Sequence, residues 1–187
     1  MALQNNFFNF DGKIYKQTDG VAMGSPLGPS LANAFLCFHE QIWLNDCPQD
    51  FKPVYYRRYV DDIFALFCSP DHLEKFTNYL NSKHKNIKFT YEKESNNSLP
   101  FLDILISRSE NGFKTSVYHK PTFSGVYSNF NSFIYDEYKI GLVFTMLFRT
   151  FLIFSGFSRF HTEVIHLKEI LRKNAFPIKL VVSDITG

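Results

Sequence analysis

The sequence predicts an α+β fold in two parts, an antiparallel sheet with helices on one face and then helices alone. Up to about residue 120, short runs of β-branched and aromatic side chains alternate with helical patterns, whereas the later residues carry helical patterns only. The chain has 187 residues, 45% of them hydrophobic and 20% charged, which is ordinary for a globular protein. We therefore expect two domains, residues 1–122 and residues 123–187.

Turn and capping signals place the first elements. Asp11-Gly12 between aromatic runs predicts a β-hairpin, and residues 18–24 follow as a loop. Ser25 followed by Pro26 is typical of a helix N-cap and first helical residue, and we expect this helix to continue to about Asn45. Its apolar stripe recurs at helical spacing and consists of Leu31, Phe35, Phe38 and Ile42.

The later elements follow from the same kinds of signal. Residues 55–67 predict a hairpin with Asp61-Asp62 at its tip, and Ser69-Pro70 opens a second helix. We expect a strand at residues 87–91 and a second hairpin, residues 100–106 and 113–118, turned by Asn111-Gly112. Apolar periodicity then predicts helices over residues 136–154 and 159–173.

The adjacent acids at the hairpin tip are candidate metal ligands. Two neighbouring carboxylates repel each other, and a divalent cation relieves that repulsion. Mg²⁺ prefers hard oxygen ligands and is usually held by one or two carboxylates together with substrate phosphates. Taken alone, Asp61 and Asp62 are more typical of an exposed, solvated turn than of a metal site.

Composition excludes several classes of protein. Three cysteines without a Cys-x-x-Cys pair support neither a disulfide framework nor a zinc site, and the six histidines lack metal-ligand spacing. A net charge of +2 confines any nucleic-acid-binding surface to a local patch. The apolar run at residues 140–157 has the length of a minimal membrane span, but Arg149 near its middle favours a buried helix over a membrane protein.

Two stretches carry a family resemblance. Residues 17–29 read QTDGVAMGSPLGP and residues 56–64 read YRRYVDDIF, which resemble motifs B and C of reverse transcriptases. With LPFLD at 99–103 and VYHKPTF at 117–123, the chain is most similar to the reverse transcriptases of Penelope-like retroelements. Beyond residue 135 the likeness is to the helix-turn-helix-like region that follows the palm in that family.

The resemblance implies a partial right-hand polymerase palm in residues 1–122 and a truncated, thumb-like helical region in residues 123–187. The implied activity is RNA-directed DNA synthesis by two Mg²⁺ ions, with an RNA template, a DNA primer and dNTPs as partners. It further implies an intracellular, nuclear protein outside the membrane. The implied site comprises Asp61 and Asp62 as catalytic metal ligands, Gly24, Ser25 and Pro26 against nucleotide and template, and Tyr59, His119 and Lys120 against the primer.

The third carboxylate of a two-metal polymerase has no counterpart here. Only Asp11 and Asp19 precede the Gly-Ser-Pro loop, one in an Asp-Gly turn and the other inside the loop motif. We therefore expect a polymerase fragment that is inactive alone. The alternative is a non-catalytic nucleic-acid-binding remnant that uses the basic residues Lys114, Lys120, Arg159, Lys168, Arg172 and Lys173.

Overall fold

The computed structural model describes residues 6–18, 20–22, 24–110 and 112–177, which form an α+β fold. The chain divides into two compact units, residues 1–91 and 92–187. The predicted boundary at 122/123 therefore lies inside the second unit. Contacts across that position explain the difference, because His119 and Thr115 pair with residues of the helices that follow.

The first unit opens with a hairpin and a long helix. Strands β1 (Phe7–Phe10) and β2 (Lys13–Lys16) pair antiparallel around Asp11 and Gly12, whose positive φ angles of 50° and 72° suit the predicted turn. Helix α1 spans Gly28–Asn45 and begins later than predicted, with Leu27 rather than Ser25 as its N-cap. The Ser25 carbonyl accepts the Gly28 N–H at 3.0 Å in a separate turn, and Pro29 occupies the first helical turn, where a missing N–H costs little.

The remaining elements of the first unit are the acidic hairpin and a second helix. Strands β3 (Tyr55–Tyr59) and β4 (Asp62–Leu66) pair antiparallel, and α2 spans Pro70–Lys83, as the sequence predicts. A 3₁₀ turn at Gln49–Phe51 links α1 to β3. The buried core of this unit lies between the helices and consists of Trp43, Cys47, Phe76 and Leu80.

The strand predicted at residues 87–91 is wrong, because a side chain replaces the strand partner. Asn81 accepts the Phe89 N–H at 2.7 Å and donates to the Phe89 carbonyl at 3.0 Å. The Phe89 ring packs edge-on against Trp43 at 6.2 Å between centroids. The segment is therefore fixed to the helices without a β-ladder.

The apolar stripe that predicts α1 does not face the core. Its four residues are exposed by 38–64%, whereas Trp43 is the buried residue of this helix. The helix itself is confirmed. In the described part of the chain this stripe remains largely exposed. Helix α1 contacts the acidic hairpin through another of its faces.

The second unit contains a three-stranded antiparallel sheet in the order β5-β6-β7, with strands Ser98–Phe101, Ile104–Ser109 and Gly112–Val117. The single strand predicted over residues 100–106 is wrong, because Leu102, with φ of 55°, and Asp103 form a tight turn between β5 and β6. The β6–β7 hairpin is confirmed, although Asn111 lies outside the described residues. Each strand of the sheet therefore follows its neighbour directly.

Two helices complete the second unit and confirm the predicted pair. They are α3 (Asp136–Ile153) and α4 (Phe157–Lys173), joined by the three residues 154–156. Thr115 of β7 fastens this connection, since its N–H donates to Ser155 Oγ at 2.9 Å and its hydroxyl donates to the Ile153 carbonyl. The core between the helices consists of Val143, Met146, Leu167, Ile170, Leu171 and Phe176.

The run at residues 140–157 lies mostly in α3, which packs one face into this core. Arg149 reaches out of the helix to Asp103, with 3.0 Å between Nη2 and Oδ2. None of the helices in the described part of the chain has both the length and the apolarity that a membrane crossing requires.

Candidate functional site

The paired acids lie at the tip of the β3–β4 hairpin. Tyr59 pairs with Asp62 in the last rung, which leaves Val60 and Asp61 as the two turn residues. Val60 has φ of 57°, a region that β-branched residues rarely adopt, and the Arg58 guanidinium donates to its carbonyl at 2.7 Å. Both carboxylates are exposed, and neither forms an ion pair with a side chain in the described residues.

Arg58 ties this hairpin to α1. Its Nε lies 2.8 Å from Glu40 Oε1, and its two Nη atoms lie 3.1 Å from Asn33 Oδ1 and 3.2 Å from Cys37 Sγ. The Arg58 and Glu40 side chains are only 8% and 14% exposed. The hydroxyl of Tyr56 donates to the same oxygen of Glu40. The strand before the acids is thus held against the helix that follows the Gly-Ser-Pro loop.

Electrostatics keep the Tyr56 hydroxyl and the Arg58 guanidinium protonated. Burial raises the pKa of Tyr56, and the hydrogen bond to Glu40 and its negative charge raise it further. For Arg58 burial lowers the pKa, but the hydrogen bond to Glu40 and its charge outweigh that effect, so the pKa is raised. Both donors therefore remain available to Glu40 at neutral pH.

Sequence reasoning missed this network, although two patterns carry it. Tyr56 and Arg58 are two apart in a strand and share its less exposed face. On α1, Asn33, Cys37 and Glu40 recur at helical spacing beside the more conspicuous apolar stripe. A polar stripe on α1 together with an arginine on the less exposed face of β3 is the sequence pattern that indicates this network.

The Gly-Ser-Pro loop lies directly before α1, in the same unit as the acidic hairpin. Gly24 has φ of 87°, which favours glycine, and a side chain there would meet nothing within 4 Å. Ser25 is half-buried and its N–H donates to the Ala22 carbonyl at 3.1 Å, while Pro26 is exposed. The loop thus offers open backbone beside the N-terminus of a helix.

Two exposed carboxylates fit the oxygen ligands that Mg²⁺ requires. The described residues contain one group of three possible metal ligands, however, and Asp61 and Asp62 do not belong to it. Asp11 is exposed in the β1–β2 turn, and Asp19 lies outside the described residues. The donor set at the hairpin tip is therefore compatible with Mg²⁺, but it provides two carboxylates and not the three of a two-metal polymerase.

The three predicted primer-binding residues do not all lie in the same unit. Tyr59 is 62% exposed beside the paired acids. His119 and Lys120 follow β7 in the second unit, where Lys120 is exposed. His119 Nε2 lies 2.8 Å from Glu163 Oε1 on α4, so its imidazole is engaged with that carboxylate.

The outward face of α4 is basic. Its exposed charged residues are Arg159, Arg172 and Lys173 against the one acid Glu169, and half-buried Lys168 adds a fourth cation. The opposite face is the buried one, which contributes Leu167, Ile170 and Leu171 to the core. The exposed charges of α4 are therefore mostly basic.

Residues 126–186 match the family model of the animal helix-turn-helix domain. The match includes α3, α4 and the three-residue connection, and its last residues, from 178 on, lie outside the described part of the chain. Comparison with curated proteins and with solved structures gave no match.

The region that matches this family has the connection length typical of a helix-turn-helix, with Gly156 as the last residue before α4. Its second helix opens with exposed polar side chains, since Ser158, Arg159 and Thr162 all lie on the surface. In DNA-binding members of the motif, the N-terminal residues of the second helix contact base edges.

Proposed function

We propose that this chain is part of an RNA-directed DNA polymerase of the reverse transcriptase type, with Asp61 and Asp62 as its Mg²⁺ ligands. One observation carries the proposal. The ion pair between Arg58 and Glu40 holds the hairpin that carries YVDD against the helix that follows the Gly-Ser-Pro loop, so the stretch that resembles motif C packs on the helix that continues the stretch resembling motif B, within one unit.

The roles follow from position. Asp61 and Asp62 would hold Mg²⁺, which when bound supplies a positive charge for the attacking 3′-oxygen and the leaving pyrophosphate. Tyr59 would lie under the primer end. Gly24, Ser25 and Pro26 would present backbone and the α1 N-terminus to the nucleotide and template. His119 and Lys120 would lie along the primer, and the protein would act in the nucleus.

We further propose that this chain alone does not extend a primer. Two-metal sites stabilise both oxygens of the displacement, and two carboxylates at one hairpin tip are a minimal ligand set for that purpose. The missing third carboxylate is expected on a separate strand of the palm.

The test is primer extension on an RNA template by the longest reading frame that contains these residues. We expect Mg²⁺-dependent extension that Asp61→Ala abolishes and that Asp71→Ala, an exposed acid on α2, leaves intact. Extension that survives Asp61→Ala contradicts the proposal. Extension by the present chain alone contradicts the inactivity proposed for it.

The match to the helix-turn-helix family favours a second candidate, a nucleic-acid-binding protein without polymerase activity. In that case Lys168, Arg172 and the first turn of α4 would bind the duplex. Salt-dependent binding together with no extension by any reading frame that contains the chain would favour it over the polymerase.

A further inference from the structure

Three possible metal ligands meet where α4 crosses the segment after β7. Glu163 and His166 are three residues apart on α4, and His119 follows β7. Glu163 Oε1 lies 2.8 Å from His119 Nε2 and 3.8 Å from His166 Nδ1. One ligand atom from each of the three residues lies within 4.8 Å of the other two. It is the one such group among the described residues, and it does not include the predicted metal ligands Asp61 and Asp62.

These separations are close to those of a zinc site. With zinc–nitrogen and zinc–oxygen distances of about 2.0–2.2 Å, tetrahedral ligand atoms lie about 3.3–3.5 Å apart. The His119–Glu163 distance would need to open and the His166–Glu163 distance to close, each by about half an ångström. The two imidazole nitrogens, which lie within 4.8 Å of each other, would have to approach by up to about 1.4 Å, so binding requires rotation of the side chains.

Two imidazoles share one nearly buried carboxylate in this cluster. Glu163 is nearly buried, with 11% of its side chain exposed, and both imidazoles approach the same oxygen of it. The two rings meet edge to face with centroids 5.0 Å apart, and Phe123 lies 4.7 Å from the ring of His119 on another side. The imidazoles are 28% and 44% exposed, which leaves the cluster open to solvent.

We propose that His119, Glu163 and His166 bind one Zn²⁺ ion, with a water molecule as the fourth ligand. Zinc accepts both imidazole nitrogen and carboxylate oxygen, whereas Mg²⁺ prefers oxygen ligands alone, so the two imidazoles favour zinc over Mg²⁺. The ion would join α4 to the segment after β7 and so fix the helix on the sheet that precedes it. This inference does not depend on polymerase activity.

The sequence contains the pattern, but its spacing hides it. Glu163 and His166 form a Glu-x-x-His pair on one helix face, whereas the third ligand lies 44 residues before Glu163. Only the packing of α4 beside β7 brings His119 to them.

The test is calorimetric titration of the full chain, freed of metal, with ZnCl₂, and in parallel with MgCl₂. We expect one equivalent of Zn²⁺ with micromolar or tighter affinity, no comparable binding of Mg²⁺, and a rise in the melting temperature with Zn²⁺. His166→Ala should weaken Zn²⁺ binding at least about tenfold, since it removes one of three ligands. Because His166 is a partly exposed side chain, this variant should keep its helical circular dichroism. Glu163→Gln, which keeps the shape but loses the charge, should weaken binding similarly.

The matched control is His84→Ala. The rings of His39 and His84 lie 6.0 Å apart and form the other close histidine pair, but they have no place in the three-ligand group. His84→Ala should leave the affinity unchanged. The proposal is overturned if no saturable 1:1 binding occurs, if His166→Ala binds as tightly as the parent chain, or if His84→Ala is the variant that loses the ion.

Discussion

Arg58 and Glu40 form an ion pair of 2.8 Å between Nε and Oε1, with 8% and 14% of their side chains exposed. The pair joins the strand that leads to Asp61 and Asp62 with the helix that follows the Gly-Ser-Pro loop. A buried pair of this kind contributes little net stability over apolar residues, but removing one partner leaves the other without its opposite charge. The position of the paired acids is therefore sensitive to single substitutions far from them in sequence.

Glu40→Ala should lower the free energy of unfolding of the first unit by about 1–3 kcal/mol, because it removes the carboxylate that pairs with Arg58 and accepts the Tyr56 hydroxyl. Urea unfolding followed by tryptophan fluorescence measures this, since Trp43 is the only tryptophan and is buried in that unit. Gln41→Ala, at an exposed neighbour on α1, should change stability by less than about 0.5 kcal/mol. Equal losses of stability in the two variants would contradict a stabilising role of the Arg58–Glu40 ion pair.

The stability of the first unit should fall as pH rises above about 10. The pKa of the Tyr56 hydroxyl is raised in the folded chain, so the unfolded chain loses the hydroxyl proton at lower pH than the folded chain does. The stability that Tyr56 contributes is therefore complete below the ordinary tyrosine pKa and is lost as the pH rises toward the raised pKa. Burial also raises the pKa of Cys47, which acts in the same direction from about pH 9. Urea midpoints between about pH 8 and pH 11 should therefore decline less in Tyr56→Phe than in the parent. Tyr55→Phe, at the exposed neighbouring ring, should decline like the parent; a decline in Tyr56→Phe equal to the parent's would rule out this linkage.

Ala175→Gly should stabilise the second unit by about 0.5–1 kcal/mol. Helix α4 ends in a Schellman motif, in which Phe176 N–H donates to the Leu171 carbonyl at 3.0 Å and Ala175 N–H donates to the Arg172 carbonyl at 3.1 Å. Ala175 occupies the left-handed position with φ of 64°, which glycine adopts without strain. Thermal unfolding by circular dichroism measures the change. The same chemical change at Ala34, inside α1, should destabilise by about 1 kcal/mol, and a gain there or a loss at Ala175 would contradict the assigned backbone strain.

Replacing Lys168 and Arg172 together by alanine should weaken nucleic-acid binding and make it less dependent on salt. If each side chain contacts one phosphate, the slope of log K against log salt concentration should become shallower by about 1.8 for duplex DNA. Binding measured by fluorescence anisotropy over a range of salt concentrations tests this. Replacing Lys75 and Lys85, exposed cations of the first unit, controls for net charge, and a slope reduced equally by both pairs would place the interface elsewhere.

Most elements could be predicted from local signals, because those signals act through neighbouring residues. Asp11-Gly12, Ser69-Pro70 and the helical periodicity of α3 and α4 each specify structure over a few residues, and the structure confirms them. The failures are long-range. The side chain of Asn81 hydrogen-bonds the backbone of Phe89, so the strand predicted at residues 87–91 does not form. The turn at Leu102 and Asp103, in which Asp103 pairs with Arg149, divides the strand predicted at residues 100–106.

The candidate sites divide in the same way. The tip position of Asp61 and Asp62 follows from their poor strand propensity between two good strands, and the sequence predicts it. The Arg58–Glu40 pair and the His119–Glu163–His166 cluster depend on which faces of distant elements meet. No spacing along the chain encodes that choice, so these residues are found only in the folded molecule.

Thr115 holds the connection between α3 and α4 through its backbone N–H and its hydroxyl, and the Ser155 N–H donates back to its carbonyl at 3.4 Å. These bonds make the corner between the two helices depend on a strand that precedes the helix-turn-helix match. We expect the β-hairpin and the helices to exchange their amide hydrogens as one cooperative unit rather than two. An excised piece that starts at residue 123 would therefore lose rigidity at the corner that sets the direction of α4, whereas one that starts at residue 92 would retain it.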